Sequence, residues 1–259
     1  MTSEPLLKVK DVGIQFGGLK AVSNFNLEIN QGELIGLIGP NGAGKTTSFN
    51  LLTGVYKPTE GDILFNGKRI NGMAPYQVTR GGISRTFQNI RLFNELSVLD
   101  NVKVAYHSLA KHSVLSSMFR LPSHFSGEKE MEEKAMELLK IFQLEKNKDE
   151  DAKNLAYGKQ RRLEIARALA AGPQLLLLDE PAAGMNPQET KELMELIAFV
   201  RKKFNLTILL IEHDMNLVMG ICERIYVLDH GVLLAEGTPE EIRNNPKVIE
   251  AYLGEEVHE

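Results

Sequence analysis

Residues 39–47 read Gly-Pro-Asn-Gly-Ala-Gly-Lys-Thr-Thr and stand between an apolar run over residues 33–38 and a helix-like stretch over residues 45–52. A glycine-rich turn that ends in Gly-Lys-Thr and joins a strand to a helix is a phosphate-binding loop in its proper context, so the chain is constrained to the α/β class. Gly39, Gly42 and Gly44 let successive backbone N–H groups turn inward around a polyphosphate, and the helix start adds the positive end of its dipole. Lys45 reaches the terminal phosphates and the Thr46 hydroxyl can ligate Mg²⁺. Asn41 and Thr47 complete the candidate set in the loop.

The rest of the chain supplies layers around that loop. Residues 7–38 alternate as strands do, and residues 62–65 followed by Asn66-Gly67 signal a hairpin. Residues 85–88 read as a strand end. From residue 174 onward, strands at 175–178, 206–211 and 225–228 are separated by helical stretches at 187–203 and 214–221. Strands spaced by helices imply right-handed crossovers and a parallel sheet. Asp229-His230-Gly231 turns a last hairpin into residues 232–235, and Thr238-Pro239-Glu240-Glu241 carries a helix-start signal. Asn186-Pro187-Gln188-Glu189 carries the same kind of signal. Between residues 96 and 167 the period becomes helical, and residues 107–127 have the weakest periodicity, which marks a variable surface excursion.

Residues 175–180 read Leu-Leu-Leu-Leu-Asp-Glu, a buried strand that delivers two adjacent carboxylates at its carboxyl end, where ligands of parallel sheets sit. Asp179 is expected to hold Mg²⁺ through its water shell, and Glu180 to polarise the water that attacks a terminal phosphorus. Arg161 and Arg162 near a helix start oppose its dipole, which is expected to make sense if an anion arrives there.

Composition narrows the setting. Thirty Lys and Arg against 34 Asp and Glu give a net charge of −4, which argues against a chain that coats nucleic acid. A single cysteine, Cys222, forms no internal disulfide and suits a reducing compartment as core filler. No apolar run approaches the ~20 residues needed to span a bilayer, and residues 1–10 carry Glu4, Lys8 and Lys10 rather than an export signal. Any service to a membrane is expected through a protein partner.

At residues 154–162 the chain resembles the ATP-binding-cassette ATPases, whose signature motif usually reads Leu-Ser-Gly-Gly-Gln; here residues 155–159 read Leu-Ala-Tyr-Gly-Lys. The resemblance implies a P-loop NTPase core with a mostly parallel sheet, an N-terminal antiparallel β subdomain and a helical subdomain that carries the signature. One domain over residues 1–259 is expected, with the core at 1–95 and 168–259 and the helical subdomain at 96–167. The resemblance further implies ATP as substrate with Mg²⁺. Phe16 would stack on adenine, Gln88 would sense nucleotide and metal, and His213 would reach the γ-phosphate. Leu155 and Gly158 would face the ATP of a partner subunit, and Asn186 falls where the family often has an aspartate.

Residues 85–93, 155–169, 181–190, 211–215 and 242–246 are similar to the larger ATPase subunit of branched-chain amino acid importers. That likeness implies a peripheral subunit on the cytoplasmic face of the inner membrane. Its partners would be a second cassette ATPase, two transmembrane permeases and, indirectly, an extracytoplasmic solute-binding protein. The alternatives are the ATPase of a lipid or lipopolysaccharide exporter, or a soluble cassette protein that acts on nucleic acid or ribosomes.

Overall fold

The computed structural model describes residues 4–109 and 122–256. Among the described residues ten strands form two sheets. β1 (Leu7–Phe16), β2 (Leu19–Ile29), β4 (Glu60–Phe65) and β5 (Lys68–Arg69) make an antiparallel sheet in the order β2-β1-β4-β5. β3 (Leu34–Ile38), β6 (Ile83–Arg85), β7 (Leu175–Asp179), β8 (Thr207–Ile211), β9 (Arg224–Asp229) and β10 (Val232–Gly237) make the second sheet, in the order β10-β9-β3-β8-β7-β6. Its members pair in parallel except β10, which returns antiparallel to β9 along one edge.

The central strands are continuous apolar runs because both of their faces are buried. Side chains alternate across a strand, and the core divides accordingly. Leu34, Leu176, Leu178, Ile208, Leu210, Ile225 and Val227 join helical residues such as Leu138, Leu139, Leu163 and Ile197 in one cluster. Their neighbours Ile35, Leu37, Leu175, Leu177, Leu209, Ile211 and Leu228 pack instead against Leu7, Phe25 and Leu27 of the antiparallel sheet and Phe49 of helix Lys45–Leu52. Cys222 lies in the first of these layers, and burial pushes its thiol up to about 12.

Turn chemistry follows the sequence closely. Asn66 and Gly67 have φ of 49° and 69°, the primed geometry that a two-residue hairpin needs, with Phe65 paired to Lys68. Asn186 and Thr238 each close a capping box with the glutamate three residues on. Asp214, expected inside a helix, is its cap: Oδ1 accepts from the Asn216 and Leu217 N–H groups ahead of helix Met215–Ile221. The turn between β9 and β10 does more than reverse the chain. Gly231 N–H donates to Ala43 O and its carbonyl accepts from Ser23 N–H, so the turn ties β2 to the phosphate-loop segment.

One expected strand ends early. β6 stops at Arg85, and the Thr86 N–H makes a last bond to Leu177 O. Phe87 and Gln88 leave the sheet because their carbonyls are taken by the Arg161 guanidinium. Helices Val98–Leu109, Pro122–Ile141 and Tyr157–Ala170 fill most of the stretch between β6 and β7, and the last of them runs across residue 167. Most of the expected surface excursion at 107–127 lies at residues 110–121, outside the described residues. Among the described residues no helix is long and apolar enough to cross a membrane.

Candidate functional site

The site is built at the carboxyl ends of adjacent parallel strands. β3 delivers the loop at residues 39–44, β7 delivers Asp179 and Glu180, and β8 delivers Glu212 and His213. Asp179 pairs with Ile211 in the ladder and the Glu180 N–H donates to Ile211 O, so the register fixes the carboxylates beside His213.

The loop has the backbone that a phosphate cradle requires. Gly39 has φ of 151° and a Cβ there would stand 2.0 Å from Leu228 O, so only glycine fits. Gly42, with φ of 77°, faces open space. Gly44 caps helix Lys45–Leu52 with φ of 96° and no side-chain hydrogen bond, at the helix end whose dipole favours an anion. Lys45 Nζ donates to Gly39 O at 2.6 Å and Pro40 O at 2.7 Å, curled over the loop. Asn41 and Thr46 are exposed and Thr47 is half-buried. Phe16 is 45% exposed at the end of β1, its ring braced edge-on by Tyr56 with centroids 5.1 Å apart.

Asp179 is buried, and Arg85 Nη2 donates to its Oδ2 at 2.7 Å. Arg85 Nη1 donates to Asn50 Oδ1 at 2.7 Å, and the guanidinium lies over the rings of Phe49 and Phe87. Glu180 has φ of 45°, a left-handed backbone uncommon for a residue with a side chain and typical of strained functional positions. Its Oε2 accepts from Gln88 Nε2 at 2.9 Å and stands 3.9 Å from His213 Nδ1. The structure therefore brings Gln88, Glu180 and His213 together, with His213 largely exposed.

Beneath them lies a carboxylate that sequence reading passed over. Glu212 is 1% exposed; its Oε1 accepts from Ala182 N–H at 2.8 Å and its Oε2 from His213 N–H at 3.3 Å. Burial raises its pKa above the ordinary carboxylate value. Arg85 and Gly231 were missed as well. A basic residue directly ahead of the Thr-Phe-Gln stretch was the only sequence signal for Arg85.

Leu155 and Gly158 lie apart from this group. The Leu155 side chain is buried in the core, and Gly158 starts helix Tyr157–Ala170 beside Glu189, where a Cβ would stand 3.4 Å from Glu189 Oε1. Arg161 and Arg162 of that helix await no anion. Arg161 is fully buried against Glu164 and two backbone carbonyls, and Arg162 pairs with Glu192. Their charge is neutralised within the chain. Asn186 is occupied as a cap, accepting from the Glu189 N–H at 3.0 Å.

The donor set suits a hydrated divalent ion shared with phosphate. Among the described residues no group of three His, Cys, Asp or Glu side chains is arranged to hold a metal ion; the Thr46 hydroxyl, the Asp179 carboxylate and the Gln88 amide are the candidate ligands. Mg²⁺ keeps several waters and takes few protein ligands, so these residues fit it better than they fit an all-protein cage.

Residues 22–183 match the family model described as ABC transporter. The chain belongs to the ABC transporter family. A model for the branched-chain amino acid ATP-binding cassette transporter matches residues 232–258. The chain is 54% identical over 253 residues to the Escherichia coli K12 high-affinity branched-chain amino acid transport ATP-binding protein LivG, covering 98% of this chain and 99% of the relative. The Pseudomonas aeruginosa counterpart BraF is 49% identical over the same shares. The lipopolysaccharide export system ATP-binding protein LptB of Escherichia coli K12 is 35% identical, covering 96% and 98%. Among solved structures, an ATP-binding cassette of an ABC transporter in its ADP conformation superposes with a TM-score of 0.84 at 32% identity, covering 97% of this chain and 100% of that one. A dimeric cassette bound to ADP and Pi superposes with a TM-score of 0.76 at 27% identity, covering 90% and 98%.

Proposed function

We propose that this chain is the ATP-hydrolysing subunit of an ABC importer for branched-chain amino acids, working on the cytoplasmic face of the membrane against two permease subunits and a second cassette. The convergence of Gln88, Glu180 and His213 beside the Gly39–Lys45 loop is the observation that carries the hydrolytic reading. The importer reading rests on relatives: LivG at 54% identity stands well above LptB at 35%.

In this reading residues 96–167 form the helical subdomain, and residues 1–95 and 168–259 form the nucleotide-binding core. The loop N–H groups bind the β- and γ-phosphates, Lys45 neutralises their charge, and Phe16 stacks on the adenine. Mg²⁺, held by the Thr46 hydroxyl and by Asp179 through water, with Gln88 nearby, supplies charge neutralisation at the phosphate oxygens. Glu180 orients the attacking water and takes its proton, while His213 donates to the γ-phosphate. Gly158 and the adjoining Leu155 backbone meet the ATP held by the partner cassette, so that binding closes the pair and hydrolysis releases it.

Glu180→Gln tests the assignment because it keeps the shape and the hydrogen-bond partner while removing the base. ATP binding should persist and turnover should fall by about 10²–10⁴-fold. Full turnover in that variant would overturn the role of Glu180. ATP-driven leucine uptake in vesicles reconstituted without this subunit would overturn the transport reading.

A further inference from the structure

Tyr157 stands where the signature of the family ordinarily has a glycine, and it opens a chain of contacts that passes through the buried Arg161 and ends on Glu180. Its Oη accepts from Arg161 Nη2 at 3.3 Å, and the guanidinium carbon stands 6.0 Å from the ring centroid. The same ring adjoins Gly184 in the loop after Glu180, where a Cβ would lie 3.6 Å from it.

Arg161 is the largest fully buried side chain of the described residues. Its Nη1 donates to Phe87 O at 2.6 Å and Glu164 Oε2 at 2.8 Å, and its Nη2 donates to Gln88 O at 2.7 Å. Glu164, 1% exposed, closes the clamp from the other side by accepting from the Phe87 N–H at 3.4 Å and the Arg91 N–H at 3.1 Å. From Gln88 the side-chain amide continues to Glu180 Oε2. A buried ion pair is a poor device for stability alone, since apolar side chains of equal volume do as well. A planar fork that reads two consecutive carbonyls is a device for position, which an ammonium cannot copy.

We propose that Arg161 is a positioning residue for Glu180. It holds the Gln88 backbone, and with it the amide that donates to Glu180, in register with the first turn of the signature helix, and Tyr157 sets Arg161 against the loop at 181–185. Movement of the signature helix is thereby felt at the carboxylate of the same chain. The inference rests on the role proposed for Glu180 in hydrolysis.

The test is a double-mutant cycle on the full chain, with kcat, KM for ATP and ATP binding by calorimetry measured for Arg161→Lys, Glu180→Gln and the pair. Lysine keeps the charge opposite Glu164 but cannot span both carbonyls. Arg161→Lys should lower kcat by about tenfold or more, with KM within about twofold, and should cost nothing further in the Glu180→Gln background. Tyr157→Phe, which removes one exposed hydroxyl and leaves folding intact, should lower kcat by about two- to tenfold with the same loss of effect in that background. If Arg161→Lys does not fold, the Tyr157→Phe cycle decides alone. Parent-like kcat, or a loss that multiplies in full with Glu180→Gln, overturns the positioning role while leaving the hydrolytic reading intact. Parent-like turnover in Glu180→Gln alone overturns both.

Discussion

Replacing Arg85 with methionine should be among the most damaging single changes in this chain, although the residue touches no substrate. Arg85 and Asp179 form an ion pair at 2.7 Å with side chains only 6% and 5% exposed. Removing one partner of such a pair leaves the other charge buried and uncompensated, at a cost of about 3–5 kcal/mol. Loss of the bond to Asn50 Oδ1 adds about 1 kcal/mol. Methionine refills much of the space between Phe49 and Phe87, so the cavity contribution is small. In a domain of this size each kcal/mol moves the unfolding midpoint by about 2–4 °C, which predicts a fall of roughly 10–20 °C. Thermal unfolding followed by circular dichroism at neutral pH without nucleotide measures it. The double variant Arg85→Met/Asp179→Asn should recover most of the loss, because no charge is then left unpaired. A single variant within about 2 °C of the parent, or a double variant at the sum of the two singles, would refute the reasoning.

Three further outcomes are open to simple assays. Because burial pushes the Cys222 thiol up to about 12, the folded chain should react with a thiol reagent at about pH 8 at least a thousandfold more slowly than the urea-unfolded chain, with the rate rising about tenfold per pH unit; equal rates would show the thiol to be accessible. Asn186→Ala should cost about 1 kcal/mol of stability through the lost cap, and Asn186→Asp should restore it; a drop in turnover at unchanged stability would assign Asn186 to the reaction instead. Phe16→Ala should weaken ATP binding by about 1–3 kcal/mol while leaving tripolyphosphate binding unchanged; equal weakening of both ligands would place the fault in the β1–β2 hairpin rather than in stacking.

What the sequence could reveal was whatever is written in neighbouring residues. The phosphate loop, the Leu175–Asp179 strand with its trailing glutamate, the Asn66-Gly67 turn and both capping boxes are local patterns, and the structure reproduces each. Long-range chemistry left a weaker trace. Arg161 and Arg162 look like cations awaiting an anion, because nothing adjacent discloses that Arg161 spends its donors on carbonyls 73 and 74 residues earlier. Glu212 reads as an ordinary strand end until β7 is laid beside β8 and its carboxylate is found on Ala182 N–H. Tyr157 registers only as a departure from a motif; its meaning depends on Arg161, one helical turn later, and on Gly184, which the fold brings beside its ring.

The turn at Gly231 bears on the dimensions of the ligand rather than on its chemistry. The proposed base platform, Phe16, belongs to the antiparallel sheet, and the phosphate cradle hangs from the parallel one. In the proposed binding mode a nucleoside triphosphate spans the gap between them. Gly231 bridges that gap with one bond to each side, and a Cβ added there would lie 2.4 Å from Ala21 O. Any larger residue must therefore drive the hairpin away from the cradle and lengthen the gauge, so the span from base to γ-phosphate is set by a residue placed to touch neither end.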